Sequence, residues 1–382
     1  MSAQTPKFVS IVLPCLNEED SIGICIKKIK DVFSKENIKG EIVVIDNGST
    51  DATPKIAAEL GARVLYQPIQ GYGAAYIKGL DEVKGEYIII ADADDTYDFY
   101  EIPKFVSLLE EGYEFVMGSR FKGNITKGAM TWSHKYIGNP IITFVFKIFF
   151  KSKFSDVLCG MRAFTKKAYL EMDLKCLGME FGIEMIFSSM LKGLKITETP
   201  INYFPRKGKT KLNAFKDAWR YFRFMLLFSP NWLFLVPGFI LFIGGLLALI
   251  FSGWGYLTLF GHKFYVHAMI FFTFFSLLGF KIINLGFFAK SYSFSEGFEK
   301  KDAFLQKIYR KFTLEKGIFI GFSFFSLGGL LSAGVVIKWV KSGFGPLNEV
   351  KLCLLGLLFM TIGVQTIFSS FFLSILTLSR KK

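Results

Sequence analysis

Four long apolar segments follow residue 230, at about Asn231–Ser252, Phe264–Ala289, Gly317–Val340 and Val350–Leu376. Each is long enough to cross the hydrocarbon core of a bilayer at a modest tilt. A backbone in hydrocarbon must satisfy its own hydrogen bonds, so segments of this kind are restricted to helices. Composition agrees: 51% of the 382 residues are hydrophobic and 45 are Phe, with the excess in the C-terminal third. The chain therefore divides into residues 1–230, patterned like a soluble domain, and an all-α transmembrane domain of four helices at 231–382.

The basic residues give the spans a direction. The loop between the second and third holds Lys290, Lys300, Lys301, Lys307, Arg310, Lys311 and Lys316, and the tail ends in Arg380-Lys381-Lys382. The positive-inside rule then puts the first domain, the middle loop and the C-terminus in the cytoplasm, at the inner membrane if the cell is bacterial. Met1–Phe8 lacks an apolar core, so no cleaved signal is expected. The formal charge of +14 fits a membrane surface better than nucleic acid once spans are present. The five cysteines show no Cys-x-x-Cys spacing and the three histidines are not clustered, which predicts neither a disulfide framework nor a zinc site. Lys281, inside the second span, reads equally as a functional charge or as a paired structural lysine.

In the first 230 residues, apolar runs alternate with helical stretches. Strands are predicted at Phe8–Leu13, Glu41–Ile45, Ala62–Tyr66, Glu86–Ala91, Phe115–Met117 and Lys195–Tyr203. Helices of ten to fifteen residues between the earlier ones argue for a doubly wound, mostly parallel α/β sheet. Two segments break the pattern. One near 134–150 is rich in Phe and Ile with basic flanks, and fits either an interfacial helix or a core helix. The other, near 213–228, is basic, aromatic and amphipathic, and suits a membrane surface.

Three predicted strand ends carry acids: Asn17-Glu18, Asp46 with Asp51, and Asp92-Ala93-Asp94 followed by Asp95. In a parallel sheet these loops emerge on one edge and can share a pocket. Asp92 and Asp94 lie two apart on a strand end and can converge on a hard cation, Mg²⁺ or Mn²⁺, bound to a diphosphate. The competing reading is an ordinary acidic turn. No phosphate-binding loop of the Gly-x-x-x-x-Gly-Lys type is present, and Gly71-x-Gly73 lacks the third glycine of a dinucleotide site. Arg120, Arg206, Lys207, Lys209 and Lys211 suit phosphate recognition, though a basic patch before a membrane span explains part of that signal. Glu180 and Glu184 share a helix face, either lining an acceptor site or pairing with those cations.

The ordered segments Val9–Ile22, Ile42–Thr53, Ala91–Asp95, Val116–Phe121, Ser155–Phe164 and Pro205–Leu212 resemble the motif set of family 2 glycosyltransferases with the GT-A fold. More narrowly they are similar to dolichyl- and polyprenyl-phosphate mannose or glucose synthases. The resemblance implies that Pro14, Leu16, Asn17, Glu18 and Asp46 hold the base and ribose, and that Asp92, Ala93 and Asp94 hold metal and diphosphate, with Asp95 as a further metal ligand. It implies that Arg120, Arg206 and Lys211 hold donor or acceptor phosphates and that Asp156 stands beside the reacting groups. His134 and Lys135, just ahead of the possible interfacial helix, are weaker candidates for the lipid phosphate by their position alone. Asp94, Asp156 and Arg120 are the implied catalytic residues. The implied donors are GDP-mannose or UDP-glucose, and the implied acceptor is a polyprenyl phosphate. Leu16 stands where relatives often have an aromatic residue, and Asp95-Thr96 where they have Leu-Gln. A processive polysaccharide synthase is the competing enzyme, but its Gln-x-x-Arg-Trp motif is absent. A sugar-nucleotide sensor or a lipid flippase component is the non-enzymatic alternative.

Overall fold

Short runs of Val and Ile, flanked by turn residues, build a seven-stranded sheet: β1 Val9–Cys15, β2 Gly40–Asp46, β3 Arg63–Tyr66, β4 Tyr87–Ile90, β5 Phe115–Ser119, β6 Arg162–Thr165 and β7 Ile196–Pro200. The computed structural model describes residues 7–208, 214–253, 258–259, 262–263, 266–295 and 313–378. These fall into two units, Met1–Met225 and Leu226–Lys382. The strand order is β3-β2-β1-β4-β6-β5-β7. Strands β1 to β4 pair in parallel, as does β5 with β7, which gives the first unit a mostly parallel sheet. The β1 and β4 backbones are shielded on both faces, which explains their nearly unbroken apolar sequences.

Helix α1 (Ile22–Lys35) follows β1 and buries Ile22, Cys25, Ile26, Ile29 and Val32 on one stripe. The others of this unit are α2 (Thr53–Glu59), α3 (Tyr72–Glu82), α4 (Ile102–Glu110), α5 (Asn139–Phe150), α6 (Lys166–Met172), α7 (Phe181–Lys192) and α8 (Ala214–Leu227). Strand β6 is antiparallel to both neighbours, with Arg162 opposite Ile90 of β4 and Met117 of β5. An antiparallel strand begins where its parallel neighbours end. The loop that leads into β6 therefore arrives at the same sheet edge as the acidic loops.

A π-helical turn, His134–Gly138, runs into α5. Phe146 of α5 is fully buried and stacks toward Phe150, which meets Phe187 of α7. The opposite face leaves Trp132, Tyr136, Ile137, Ile141 and Phe144 exposed, and α8 leaves Phe215 and Trp219 exposed. The two helices touch through Phe149 and Phe222, ring centroids 6.4 Å apart. An apolar surface of this extent is unusual for a protein face bathed in water.

The second unit contains α9 (Val236–Gly253), α10 (Val266–Ser295), α11 (Leu314–Lys341) and α12 (Val350–Leu378). Four stretches are long and apolar enough to cross a membrane: Asn231–Ser252, Val266–Phe294, Leu314–Lys341 and Val350–Leu376. Close packing depends on glycine. A Cβ on Gly279 of α10 would stand 2.3 Å from the Phe242 nitrogen of α9, and one on Gly321 of α11 would stand 2.7 Å from the Gly363 oxygen of α12. Lys281 is exposed on α10. The basic residues at 300–311 and 380–382 lie outside the described residues.

Candidate active site

The first wall is made by the loops after β1 and β2. Pro14 pairs with Ile45 and Cys15 with Asp46, so both loops leave the sheet at one level. They are stitched together: Asn17, in the left-handed region at φ 51°, accepts from the Thr50 N–H at 2.7 Å, and its own N–H donates to Ser49 Oγ at 2.9 Å. The Glu18 N–H donates to Thr53 Oγ1 at 2.8 Å. Asp46 closes its own turn by accepting from the Ser49 N–H at 3.0 Å. Pro14 and Leu16 are half-buried beside them.

Strand β4 delivers the second set. Asp92 Oδ1 accepts from the Tyr72 hydroxyl at 3.0 Å. Gly160 faces it so closely that a Cβ there would lie 2.9 Å from Asp92 Oδ2. Burial, then the adjacent Asp94 charge, push the Asp92 carboxyl up to about 7, against the Tyr72 hydrogen bond and the charges of Arg206 and Arg120. Asp94 is better compensated: Oδ1 accepts from Thr96 Oγ1 at 2.6 Å, and Oδ2 lies 3.2 Å from Arg206. Buried Ala93 offers its carbonyl to Cys25 Sγ at 3.5 Å.

Asp95 is placed differently. Its backbone is left-handed, at φ 62°, and its carboxylate lies 2.6 Å from Lys28 and 3.1 Å from Lys207. Both oxygens are taken by lysines, which sets Asp95 apart from Asp92 and Asp94, the other two members of the expected metal trio. Among the described residues no three of His, Cys, Asp and Glu are gathered about a metal position.

A strap after β7, residues 204–208, lies across the acids. The Phe204 N–H donates to the Thr96 carbonyl at 2.9 Å and the Lys207 N–H to the Asp94 carbonyl at 3.1 Å. Arg206 bridges Asp94 to Glu18, and its Nε is buried with no hydrogen-bond partner among the described residues. The strap, Lys28 and Asp95 line a cavity of about 440 Å³. Lys211 lies outside the described residues.

The third wall is a buried ion pair. Asp156, wholly inaccessible, accepts from Arg120 Nε at 2.7 Å, from an Arg120 terminal nitrogen at 2.8 Å and from the Arg120 N–H at 3.1 Å. Burial opposes the Arg120 charge, but Asp156 outweighs it and holds the guanidinium firmly protonated. Arg162, at the start of β6, fixes the loop from beneath by donating to the carbonyls of Cys159 at 2.9 Å and Val157 at 3.0 Å. Glu198 of β7 fixes it from the side, accepting from the Ser155 N–H at 2.6 Å while paired to Lys122 at 2.7 Å.

The remaining predicted residues stand apart from this cluster. His134 Nδ1 bonds Thr131 Oγ1 at 2.6 Å on the exposed turn before α5, next to Lys135. Glu184 accepts from the Lys175 and Cys176 N–H groups at 3.0 and 2.8 Å, and its carboxyl is raised by burial. That holds the 175–176 loop, whereas the expectation was that Glu184 lines the acceptor site or pairs with the cations. Sequence reasoning missed Tyr72, Gly160, Lys28 and Glu198. Only Glu198 left a trace, as an acid inside an otherwise uncharged strand.

Two adjacent carboxylates, one of them held high by burial and then by the other's charge, form a donor set that fits a hard divalent cation. The edge thus presents acids for hydroxyl groups, a carboxylate pair for a cation and fixed guanidinium groups for phosphates.

The profile of glycosyl transferase family 2 matches residues 10–172, and that of the glycosyltransferase family 2 C-terminal transmembrane region matches residues 287–377. A low-salt glycan biosynthesis hexosyltransferase of Haloferax volcanii is 40% identical over 367 residues, 96% of this chain and 88% of that protein. A dolichyl-phosphate hexose transferase of the same organism is 32% identical over 217 residues, 56% of this chain and 91% of that protein. Glucosyl-3-phosphoglycerate synthase of Mycobacterium tuberculosis, in complex with phosphoglyceric acid, is similar in structure over 58% of this chain and 79% of its own, with 21% identity and a TM-score of 0.47.

Proposed function

The chain belongs to glycosyltransferase family 2, as a membrane member, and from that premise we propose that it moves a hexose from a nucleotide diphosphate sugar to a polyprenyl phosphate. One observation carries the reading. Arg206 stands 3.2 Å from Asp94, and the loop that carries Asp156 sets Gly160 against Asp92, so the acidic pair, the strap and the loop of the buried ion pair meet at one sheet edge. The likeness to the dolichyl-phosphate hexose transferase of Haloferax volcanii supports the acceptor class. GDP-mannose and UDP-glucose are the leading donors.

Asp46 and Glu18 hold ribose and base edges, and Pro14, Leu16 and Asn17 shape that recess. Asp92 and Asp94 are the residues that would hold Mg²⁺ or Mn²⁺, which supplies positive charge to the departing diphosphate. Arg206, between Glu18 and Asp94, offers its guanidinium to a donor phosphate oxygen. Arg120 is aimed by Asp156, and that pair orients charge without exchanging a proton. A phosphate oxygen of the acceptor is already largely ionised near neutral pH and needs no general base. It attacks the anomeric carbon in line, the bond to the diphosphate breaks, and the configuration inverts. The exposed faces of α5 and α8 meet the bilayer surface in this reading, with His134 and Lys135 near lipid phosphates and the first unit on the cytoplasmic side.

Membranes holding the chain, given labelled GDP-mannose or UDP-glucose and polyprenyl phosphate, should yield chloroform-soluble label. Asp94→Ala should reduce the rate at least about 100-fold, the scale for losing one preorganised charge-stabilising group. Long water-soluble polymer, or full activity in a folded Asp94→Ala protein, would sink the reading.

A further inference from the structure

Between α5 and the end of β5 lies a second cavity, of about 220 Å³, lined by Phe121, Pro140, Thr143, Phe144, Lys147 and Ser155. Phe121 follows Arg120 and Ser155 precedes Asp156, so one wall is made by the residues that flank the buried ion pair. Thr143 is only 4% exposed, and its hydroxyl is shut off from bulk solvent with no hydrogen-bond partner among the described residues. A helical threonine ordinarily turns this group back to the carbonyl one turn earlier. Thr273 does so to Met269 and Thr366 to Ile362, each at 2.8 Å. An orphaned buried hydroxyl is costly, which points to a partner that arrives from outside the chain.

Lys147 lies one turn beyond Thr143 on the same face of α5 and is half-buried. Among the described residues it has neither an ion pair nor a hydrogen bond. The Ser155 hydroxyl is already shared with Ser119 and Glu198 and serves only as wall. The rest of the lining is apolar, and Phe144 and Ile141 carry that apolar surface outward, 62% and 54% exposed. One cation and one unpartnered hydroxyl among rings match a ligand with an anionic head and an apolar tail. The cavity is smaller than the ~300–1,000 Å³ of sites that enclose whole small molecules, so it takes the head and the first carbons only.

We propose that this cavity binds the phosphate end of the isoprenoid acceptor, with the phosphate between the Lys147 ammonium and the Thr143 hydroxyl and the first isoprene unit against Phe121 and Phe144. The proposal rests on the lipid-phosphate reading above and adds the place where that lipid is gripped. The tail continues along the exposed face of α5.

The test is binding, measured apart from turnover. Farnesyl phosphate is titrated calorimetrically into the full chain in phosphatidylcholine nanodiscs, for wild type, Thr143→Val and Lys147→Gln. Each substitution should weaken farnesyl phosphate five- to tenfold, leave nucleotide diphosphate affinity unmoved and leave the weak binding of farnesol unchanged. Thr143→Val keeps shape and volume, so it decides the matter if Lys147→Gln does not fold. Unchanged farnesyl phosphate affinity in folded variants overturns the proposal. So does a short-chain phosphatidic acid that binds as tightly and loses as much on substitution, since that marks a general lipid-phosphate site. Wild type that binds farnesyl phosphate through these residues yet transfers no sugar to polyprenyl phosphate would refute the proposed function and leave the binding site standing.

Discussion

Asp92 and Asp156 are carboxylates at the same sheet edge in opposite electrostatic circumstances. Asp156 has three donors from Arg120 and no contact with solvent. Asp92 has one hydroxyl donor, from Tyr72, and an adjacent like charge that, after burial, holds its carboxyl near 7. Asp156 is complete without a ligand and belongs to the scaffold that aims Arg120. Asp92 is incomplete, and the cation we propose for it would relieve its unfavourable charge. The difference separates a residue that shapes the site from one that waits for its contents.

Substitution should expose that contrast first as stability. Asp156→Ala strands a buried guanidinium and should cost about 3–5 kcal/mol, read as a large fall in the unfolding midpoint. Asp92→Asn should do the reverse in metal-free protein while losing transfer activity. The sign follows from linkage: with a folded value near 7 against ~3.9 unfolded, the native state binds more protons between those limits, so stability falls as pH rises through that window. The gain from Asp92→Asn is therefore largest above pH 7 and absent below about pH 4. An equal loss of stability in both variants would erase the distinction.

Metal binding sharpens the comparison on a smaller scale. Mn²⁺ affinity, followed by electron paramagnetic resonance, should fall up to about tenfold per unit as pH drops below 7, because Asp92 must give up its proton. Asp92→Asn should flatten that dependence. The smallest effect belongs to Tyr72→Phe, which deletes one donor to a carboxylate. It should move the midpoint of the Mn²⁺ profile upward and weaken binding only a few-fold, with the unfolding midpoint nearly unchanged.

The sheet was legible because its signal is local: apolar runs at β1, β2 and β4 end in turn residues and acids within a few positions. The same holds for the four spans and for α1, whose buried stripe is written in its own spacing. Strand β6 was not legible, since four residues, Arg-Ala-Phe-Thr, carry no alternation that separates them from a loop. Its antiparallel entry is nonetheless what brings Asp156 to Arg120. The motif resemblance named Arg206, Glu18 and Asp94 separately, but joining them requires contact across nearly the whole first unit. Asp95 shows the same limit: beside Asp94 in sequence, it points to lysines on α1 and the strap because its left-handed backbone turns it there.

In the membrane unit, glycines let α9 lie on α10 and α11 on α12 with backbone against backbone, whereas α10 meets α12 through rings, with Phe288 and Phe372 centroids 4.6 Å apart. Backbone seams are locked by shape, since a slip of one residue would drive a side chain into the facing main chain. The contact between the pairs is close-packed as well, with Leu249, Met269, Leu358 and Ile362 buried together. The four helices are thus two backbone-seamed pairs joined through side chains, so main chain sets the register within a pair and side-chain volume sets it between pairs.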